Sequence, residues 1–319
     1  MFKRRAVSTL LFCLCFLAGS QQALAISKDY TKTRYPIVMV GGFLAFDSIF
    51  GIEYFYGIAD NLRRYGATVY ETDVSEFQDN ETRGEELLAQ IEEILAVSGA
   101  DKVNIIAHSQ GSPTARYVAA IRPDLVASVT SVHGMNRGTP IGNFFNDIAP
   151  SNSLALQLMN ALAQGFGFVW SSLSGGPNAT GQSAEAIIRA ARPDNAAEFN
   201  RRYPQGMPST SCGTSGAASV NGVRYYSWGG TGGYFVTQTN PLDLLDTALY
   251  GITALMFPKG VKHDGVVPVC GMYLGTPIRH NYRHNHTDAQ RQLFGLVGLE
   301  TNPLVLYRNQ ANRLKKAGL

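Results

Sequence analysis

The sequence predicts an α/β fold built on one mostly parallel sheet with helices on both faces, and two observations predict it. Short apolar runs alternate with amphipathic segments of helical length through the first half of the chain. Several of the runs are apolar at nearly every position, as strands covered by helices on both sides require. In chain order, residues 35–40 read as a buried strand that ends at Gly41-Gly42, and residues 54–64 read as a helix. Residues 67–74 alternate like a strand through Thr68, Tyr70 and Thr72. Residues 82–97 carry a helical stripe of Leu87, Leu88, Ile91, Ile94 and Leu95. A strand over 102–107, a helix over 113–121 and a strand over 126–132 complete a βαβαβαβ order. Later, residues 223–228 read as a strand running into a Gly-rich turn at 229–233, and 289–296 read as helical. Neither an internal repeat nor a linker interrupts residues 26–319, so a single domain is expected.

The first 25 residues are set apart. Lys3, Arg4 and Arg5 precede a short apolar stretch over 9–17, and Ala23-Leu24-Ala25 offers small residues for cleavage. This is the pattern of a secretory signal peptide, too short in its apolar part to span a membrane. A secreted protein that passes through the periplasm is the expectation. Removing these three basic residues from 27 leaves 24 against 24 acidic ones. A neutral chain with 16% charged residues has no electrostatic claim on nucleic acid, and its substrate is expected to be neutral too. Cys13 and Cys15 leave with the signal, and two cysteines remaining in an exported chain, Cys212 and Cys270, read as one disulfide.

From 148 to 184 the chain has no charged residue, and 154–173 is dense in large apolar side chains. Gln157, Asn160, Gln164, Gly165 and Gly167 argue against a membrane span. A buried helix of an insertion and an apolar lid over an active site both remain as readings.

Chemistry enters at Ala107-His108-Ser109-Gln110-Gly111, where an apolar strand runs directly into a helix through a serine flanked by small residues two positions away on each side. A strand that turns this sharply into a helix exposes the serine as a nucleophile and crowds the positions two before and two after it. Pro113 falls in the first turn of the helix, where its missing N–H is harmless. A tetrahedral oxyanion needs two fixed N–H donors. Gln110, at the helix N-terminus, and Phe43, just after Gly41-Gly42, are the candidates. The acid and base then follow in chain order. Of six histidines, His108 belongs to the turn, His133 comes too early and His263 adjoins the best acid. His280, His284 and His286 stay open as the base. Asp264, in a turn before an apolar strand, is the best acid, with Asp243 and Asp246 competing.

On these residues the chain resembles the secreted bacterial true lipases of the Pseudomonas and Burkholderia type, triacylglycerol lipases of the α/β-hydrolase fold. The resemblance covers nearly all of the mature sequence. It is most specific at 103–123, at Arg201-Arg202-Tyr203-Pro204-Gln205-Gly206 and at Asn281-Tyr282-Arg283-His284-Asn285-His286. It implies Ser109 as nucleophile, Asp264 as acid and His286 as base, with oxyanion donors at Phe43 and Gln110, and it pairs Cys212 with Cys270. It further implies a structural Ca²⁺ held by Asp243, Asp288, Gln292 and the Leu296 carbonyl, an all-oxygen set suited to a hard cation. Asp288 and Gln292, four apart on a helix, would face one ion. A lid matching residues 152–175, within a cap spanning about 140–215, and a membrane-anchored foldase during export are also implied. Two departures stand out. Gly41 replaces a histidine that braces the oxyanion loop in the family, which predicts a softer loop, and Ala107 replaces glycine. An esterase or polyester hydrolase with the same triad, and a non-catalytic lipid-binding protein on this fold, are the alternatives.

Overall fold

In the computed structural model, which describes residues 26–42, 48–49, 52–75, 78–144, 189–233, 250–292, 294–298 and 300–319, the sheet grows outward from its most apolar strands. β1 (Ile37–Val40) pairs in parallel with β4 (Val69–Thr72) on one side and β5 (Val103–His108) on the other. β5 pairs in parallel with β6 (Val126–Val132), and β6 with β8 (Val223–Gly230). At the far edge β8 takes β7 (Ser219–Val220) antiparallel near its start and β9 (Thr276–Tyr282) parallel along its later part. The order is therefore β4-β1-β5-β6-β8-β7 with β9 also on β8. β2 (Ser48–Ile49) and β3 (Ile52–Glu53) form a separate antiparallel ribbon.

The alternation of side chains along each strand divides the core in two. Ile37, Met39, Ile106, Val132 and Trp228 point to one face, where they meet α1 (Ile58–Arg64) and the last helix, α7 (Pro303–Lys316), through Ile58, Leu62, Tyr307 and Ala311. Val38, Val40, Val103, Ile105 and Ala107 point to the other. There they pack on α2 (Asn80–Ser98) and α3 (Gly111–Ile121) through Leu87, Ile91, Ile94, Ala115 and Val118. Burial on both faces explains why β1 is apolar throughout and β5 nearly so, while β6 buries Ser128, Thr130 and Ser131 as well.

Boundaries moved where caps or packing override periodicity. α2 starts two residues before the stripe, because Asp79 caps it by accepting the Thr82 N–H at 2.8 Å. α1 begins only at Ile58, since Tyr54 and Phe55 lie in a turn that drives both rings into the core. Gly229 and Gly230 belong to β8, so the Gly-rich turn is confined to 231–233.

One expectation is overturned. Among the described residues of 289–296 there is no α-helix: a 3₁₀ turn over Asp288–Gln290 is closed by Arg291 at φ 64°, and Phe294 also has positive φ. Asp288 and Gln292 are therefore not successive residues on one helical face, and the final helix is α7. A left-handed residue cannot continue a right-handed helix. The shorter α4 (Pro140–Asn143), α5 (Pro193–Arg202) and α6 (Val269–Met272) flank this frame. Cys212 and Cys270 are joined, with Cα atoms 4.8 Å apart, tying α6 to the segment before β7. Among the described residues no helix is long and apolar enough to cross a membrane. The signal segment, Phe43, the uncharged stretch and Asp243 and Asp246 lie outside the described residues.

Candidate active site

The site lies at the C-terminal ends of β5, β6 and β8, where an open α/β sheet presents its loops. Ser109 sits between β5 and α3 at φ 57°, a left-handed conformation that a serine adopts only when its surroundings impose it. Its backbone is pinned on both sides: its N–H donates to the Val132 carbonyl at 3.1 Å, and its carbonyl accepts from Ser112 and Met135 at 3.1 and 3.0 Å. The crowding expected around the turn is present. A Cβ on Gly42 would stand 2.5 Å from Ser109 Cβ and 3.0 Å from its Oγ. Gly42→Ala is therefore expected to push the serine out of line and to lower kcat/KM by about 100-fold. Steady-state kinetics beside a thermal melt would separate that loss from unfolding.

Of the three open histidines, the structure brings one to the serine. His286 Nε2 lies 2.9 Å from Ser109 Oγ, and His286 Nδ1 lies 2.8 Å from Asp264 Oδ2. A carboxylate only accepts, so Nδ1 carries the proton and Nε2 presents its lone pair to the hydroxyl. Asp264 is wholly buried. Burial alone would raise its pKa. The His286 charge and N–H bonds from His133 and His286 outweigh burial and hold the carboxyl well below the usual carboxylate range. Its other oxygen, Oδ1, accepts from the Val266 and Val267 backbone at 2.9 and 2.7 Å, which fixes the side chain in its turn. His280, by contrast, stacks on Tyr273 at 3.9 Å between ring centres, and His284 lies buried beside Tyr282.

Gln110 follows Ser109 at the N-cap of α3, and its side chain is tied to the Gln78 carbonyl at 2.9 Å. The second expected donor, Phe43, is outside the described residues. The loop leading to it is nevertheless braced. Buried Arg83 donates to the Gly41 and Gly42 carbonyls at 2.8 and 3.2 Å, and the Gly42 N–H donates to Tyr54 Oη at 3.1 Å. The softer loop expected from Gly41 is therefore countered by Arg83 and Tyr54.

Tyr54 opens a second hydrogen-bonded chain that the sequence did not reveal. Its hydroxyl lies 2.7 Å from His108 Nδ1, and His108 Nε2 lies 3.1 Å from the His286 carbonyl. That carbonyl can only accept, so Nε2 carries the proton. Burial and the neighbouring His286 and His133 keep His108 neutral, so Nδ1 accepts from the tyrosine. The turn at Ser109, the Gly41-Gly42 segment and the loop of His286 are thus cross-linked. The base loop is closed by Asn285 and Asp288, which exchange backbone N–H bonds at 2.8 Å each, with Asp288 Oδ2 accepting from Asn285. Gln292 Nε2 donates to the Glu53 and Tyr54 carbonyls at 2.6 and 3.1 Å.

His133, set aside as too early in the chain to be the base, also reaches the acid: its Nδ1 lies 2.8 Å from Asp264 Oδ2. Its position directly after the last residue of β6 was the available signal, because functional side chains gather at strand C-termini. Among the described residues, His133, Asp264 and His286 are also the one cluster spaced as metal ligands would be. Their facing atoms are already engaged in hydrogen bonds to one another.

Burial of so many neutral rings has a consequence for stability. His280 and His284 are pulled down to about 3, first by burial and next by the charge His133 would carry. Unfolded histidine binds its proton near 6.5. Between these values the unfolded chain holds more protons, so stability falls as pH falls. The expected slope is about 1.4 kcal/mol per pH unit for each ring. His284→Met should remove one ring's share, read from denaturant midpoints between about pH 6.5 and pH 4.5.

Comparison with known proteins places this geometry. The α/β-hydrolase fold family matches over residues 35–230. A triacylglycerol lipase of Vibrio cholerae is 46% identical over 310 residues, covering 97% of this chain and 96% of that one. A triacylglycerol lipase of Pseudomonas fragi is 40% identical over 293 residues, covering 91% and 99%. One of Burkholderia plantarii is 35% identical over 332 residues, covering 95% and 92%. Among solved structures, the mature Bacillus licheniformis lipase BlEst2 superposes with a TM-score of 0.57 over 88% of this chain and 92% of that one. At 16% identity that likeness concerns the fold alone.

Proposed function

Since this chain belongs to the α/β-hydrolase family, among its bacterial triacylglycerol lipases, we propose that it hydrolyses acylglycerol esters at a lipid–water interface through Ser109. The observation that carries this reading is the continuous chain Ser109 Oγ–His286 Nε2 and His286 Nδ1–Asp264 Oδ2, at 2.9 and 2.8 Å. In this reading His286 Nε2 takes the hydroxyl proton as Ser109 Oγ bonds to the ester carbonyl carbon. The developing oxyanion is held by the N–H groups of Gln110 and Phe43. As the tetrahedral intermediate collapses, the C–O bond to glycerol breaks and His286 returns the proton to the departing alkoxide. Water then attacks the acyl-serine with His286 as base, and the fatty acid and free Ser109 are restored. Asp264 keeps the imidazole in the working tautomer and stabilises its charge throughout.

The uncharged, apolar 154–173 stretch supports a lid that opens at lipid. The leader-like 1–25 supports export through the periplasm, with a membrane-anchored foldase assisting as in the family that the chain resembles. Ca²⁺ is proposed at Asp243, Asp288, Gln292 and the Leu296 carbonyl. The donor set fits: all four offer oxygen, Asp288 is a fully buried carboxylate, and the two carbonyls that hold Gln292 Nε2 leave its amide oxygen on the other side. When bound, the ion would add charge compensation to the loop that carries His286.

Hydrolysis of an emulsified long-chain triacylglycerol beside a soluble butyrate ester, with Ca²⁺ and foldase supplied, tests the reading. Strong activity on the emulsion that vanishes in Ser109→Ala is expected. Activity on butyrate alone would replace the lipase with an esterase.

A further inference from the structure

Two imidazoles grip Asp264, and only one of them belongs to the reacting chain. We propose that His133 is a positioning residue of the active site, whose Nδ1–H locks the Asp264 carboxylate and so holds His286 in line with Ser109. This inference rests on the triad reading above.

The carboxylate geometry supports it first. Asp264 Oδ2 accepts from His286 Nδ1 and from His133 Nδ1, each at 2.8 Å, while Oδ1 accepts from Val266 and Val267. Four donors fill the four acceptor sites of a carboxylate. With His133 gone, one lone pair of a wholly buried charge would face no donor, and the side chain could turn about Cβ–Cγ away from His286.

The proton inventory agrees. Asp264 only accepts, so His133 carries its proton on Nδ1. Burial keeps the ring neutral, which leaves Nε2 as a bare acceptor, buried without a hydrogen-bond partner. An apolar ring would avoid that unpaired nitrogen. A histidine whose role was only to fill space has no reason to accept this cost; a histidine whose Nδ1–H serves Asp264 does.

The backbone has been shaped for the same ring. His133 has φ 47°, its N–H anchored on the Trp228 carbonyl at 2.9 Å. Gly230 opposite leaves room for two neighbours: a Cβ there would stand 2.4 Å from the His284 carbonyl oxygen and 2.5 Å from His133 Cε1. A strained non-glycine residue opposite a cleared position is the kind of local cost found at functional sites. The other titratable rings facing His133 are His108, His284 and His286, with centres 6.3, 6.4 and 6.3 Å away, and His280 lies close enough to feel its charge. Asp264 is the one carboxylate that pairs with it among the described residues.

Three substitutions and one spectrum test the proposal on the full protein. His133→Leu and His133→Gly remove the donor, the second without strain at positive φ. Both should lower kcat on a soluble ester by about 10- to 100-fold with KM within about twofold, because Asp264 does not touch substrate. His133→Asn places an amide N–H where Nδ1 stood and suits the left-handed backbone, so it should restore most of kcat. In wild-type protein carrying nitrogen-15-labelled histidine, His133 should appear as the Nδ1–H tautomer. Wild-type kcat in the Leu and Gly variants, an Asn variant as impaired as Leu, or an Nε2–H tautomer would each overturn the proposal. Should the variants not fold, the tautomer alone decides it. Failure of the triad reading is distinguishable, because Asp264→Asn would then remain active.

Discussion

Ser109→Ala is expected to lose ester hydrolysis by about a million-fold in kcat while folding as the wild type does. The loss is large because the serine, histidine and aspartate act as one unit, so removing the attacking oxygen forfeits everything the other two supply. What survives is binding and the oxyanion donors, which still accelerate the reaction over water. Folding should be little changed. The backbone bonds that set the turn, from Ser109 N to Val132 and from Ser112 and Met135 to the Ser109 carbonyl, do not involve the hydroxyl. Alanine at φ 57° is strained about as serine is. Turnover of a soluble ester, with a melting temperature close to wild type, is the check. A folded variant that kept its rate would move the nucleophile elsewhere.

Asp264→Asn is expected to lower kcat by about 10⁴-fold and, unlike the serine change, to lower stability as well. The reason lies in how fully the carboxylate is used. Oδ1 faces two backbone N–H groups and Oδ2 faces two imidazole N–H groups. Whichever way the new amide turns, its NH₂ meets a pair of donors and no acceptor. If it faces the histidines, His286 must shift its proton to Nε2 and can no longer accept from Ser109. If it faces Val266 and Val267, the turn that carries residue 264 loses both of its anchors. Buried unsatisfied donors of this kind cost about 1–3 kcal/mol each. A parallel loss of rate and of denaturant midpoint is therefore the expected pattern, whereas a stable variant with a normal rate would remove Asp264 from the site.

The parts of this molecule that depend on local pattern could be read from the chain. β1 and β5 announce themselves because burial on both faces leaves most of their positions apolar. The elbow was legible because one pentapeptide must satisfy both a steric and a chemical requirement. The base could be narrowed to His280, His284 and His286 but not chosen, since three histidines within seven residues differ only in where β9 and the following loop carry them. The helix expected over 289–296 failed at Arg291, whose left-handed backbone no periodicity encodes. Tyr54 and Arg83 were invisible for a related reason, and His133 offered only its place just after β6. Each acts on a partner 12 to 131 residues away, bonding to Gly42, to Gly41 and to Asp264, and only tertiary packing brings them together.

The central claim is that Ser109 carries the acyl group, and covalent trapping tests it most directly. The protein would be treated with an alkyl phosphonate ester, a mimic of the tetrahedral intermediate, and then examined by intact mass and peptide mapping. One adduct per chain, confined to the peptide containing Ser109 and absent from Ser109→Ala, is the result predicted here. An adduct on another residue, or none on folded and ester-hydrolysing protein, would contradict it.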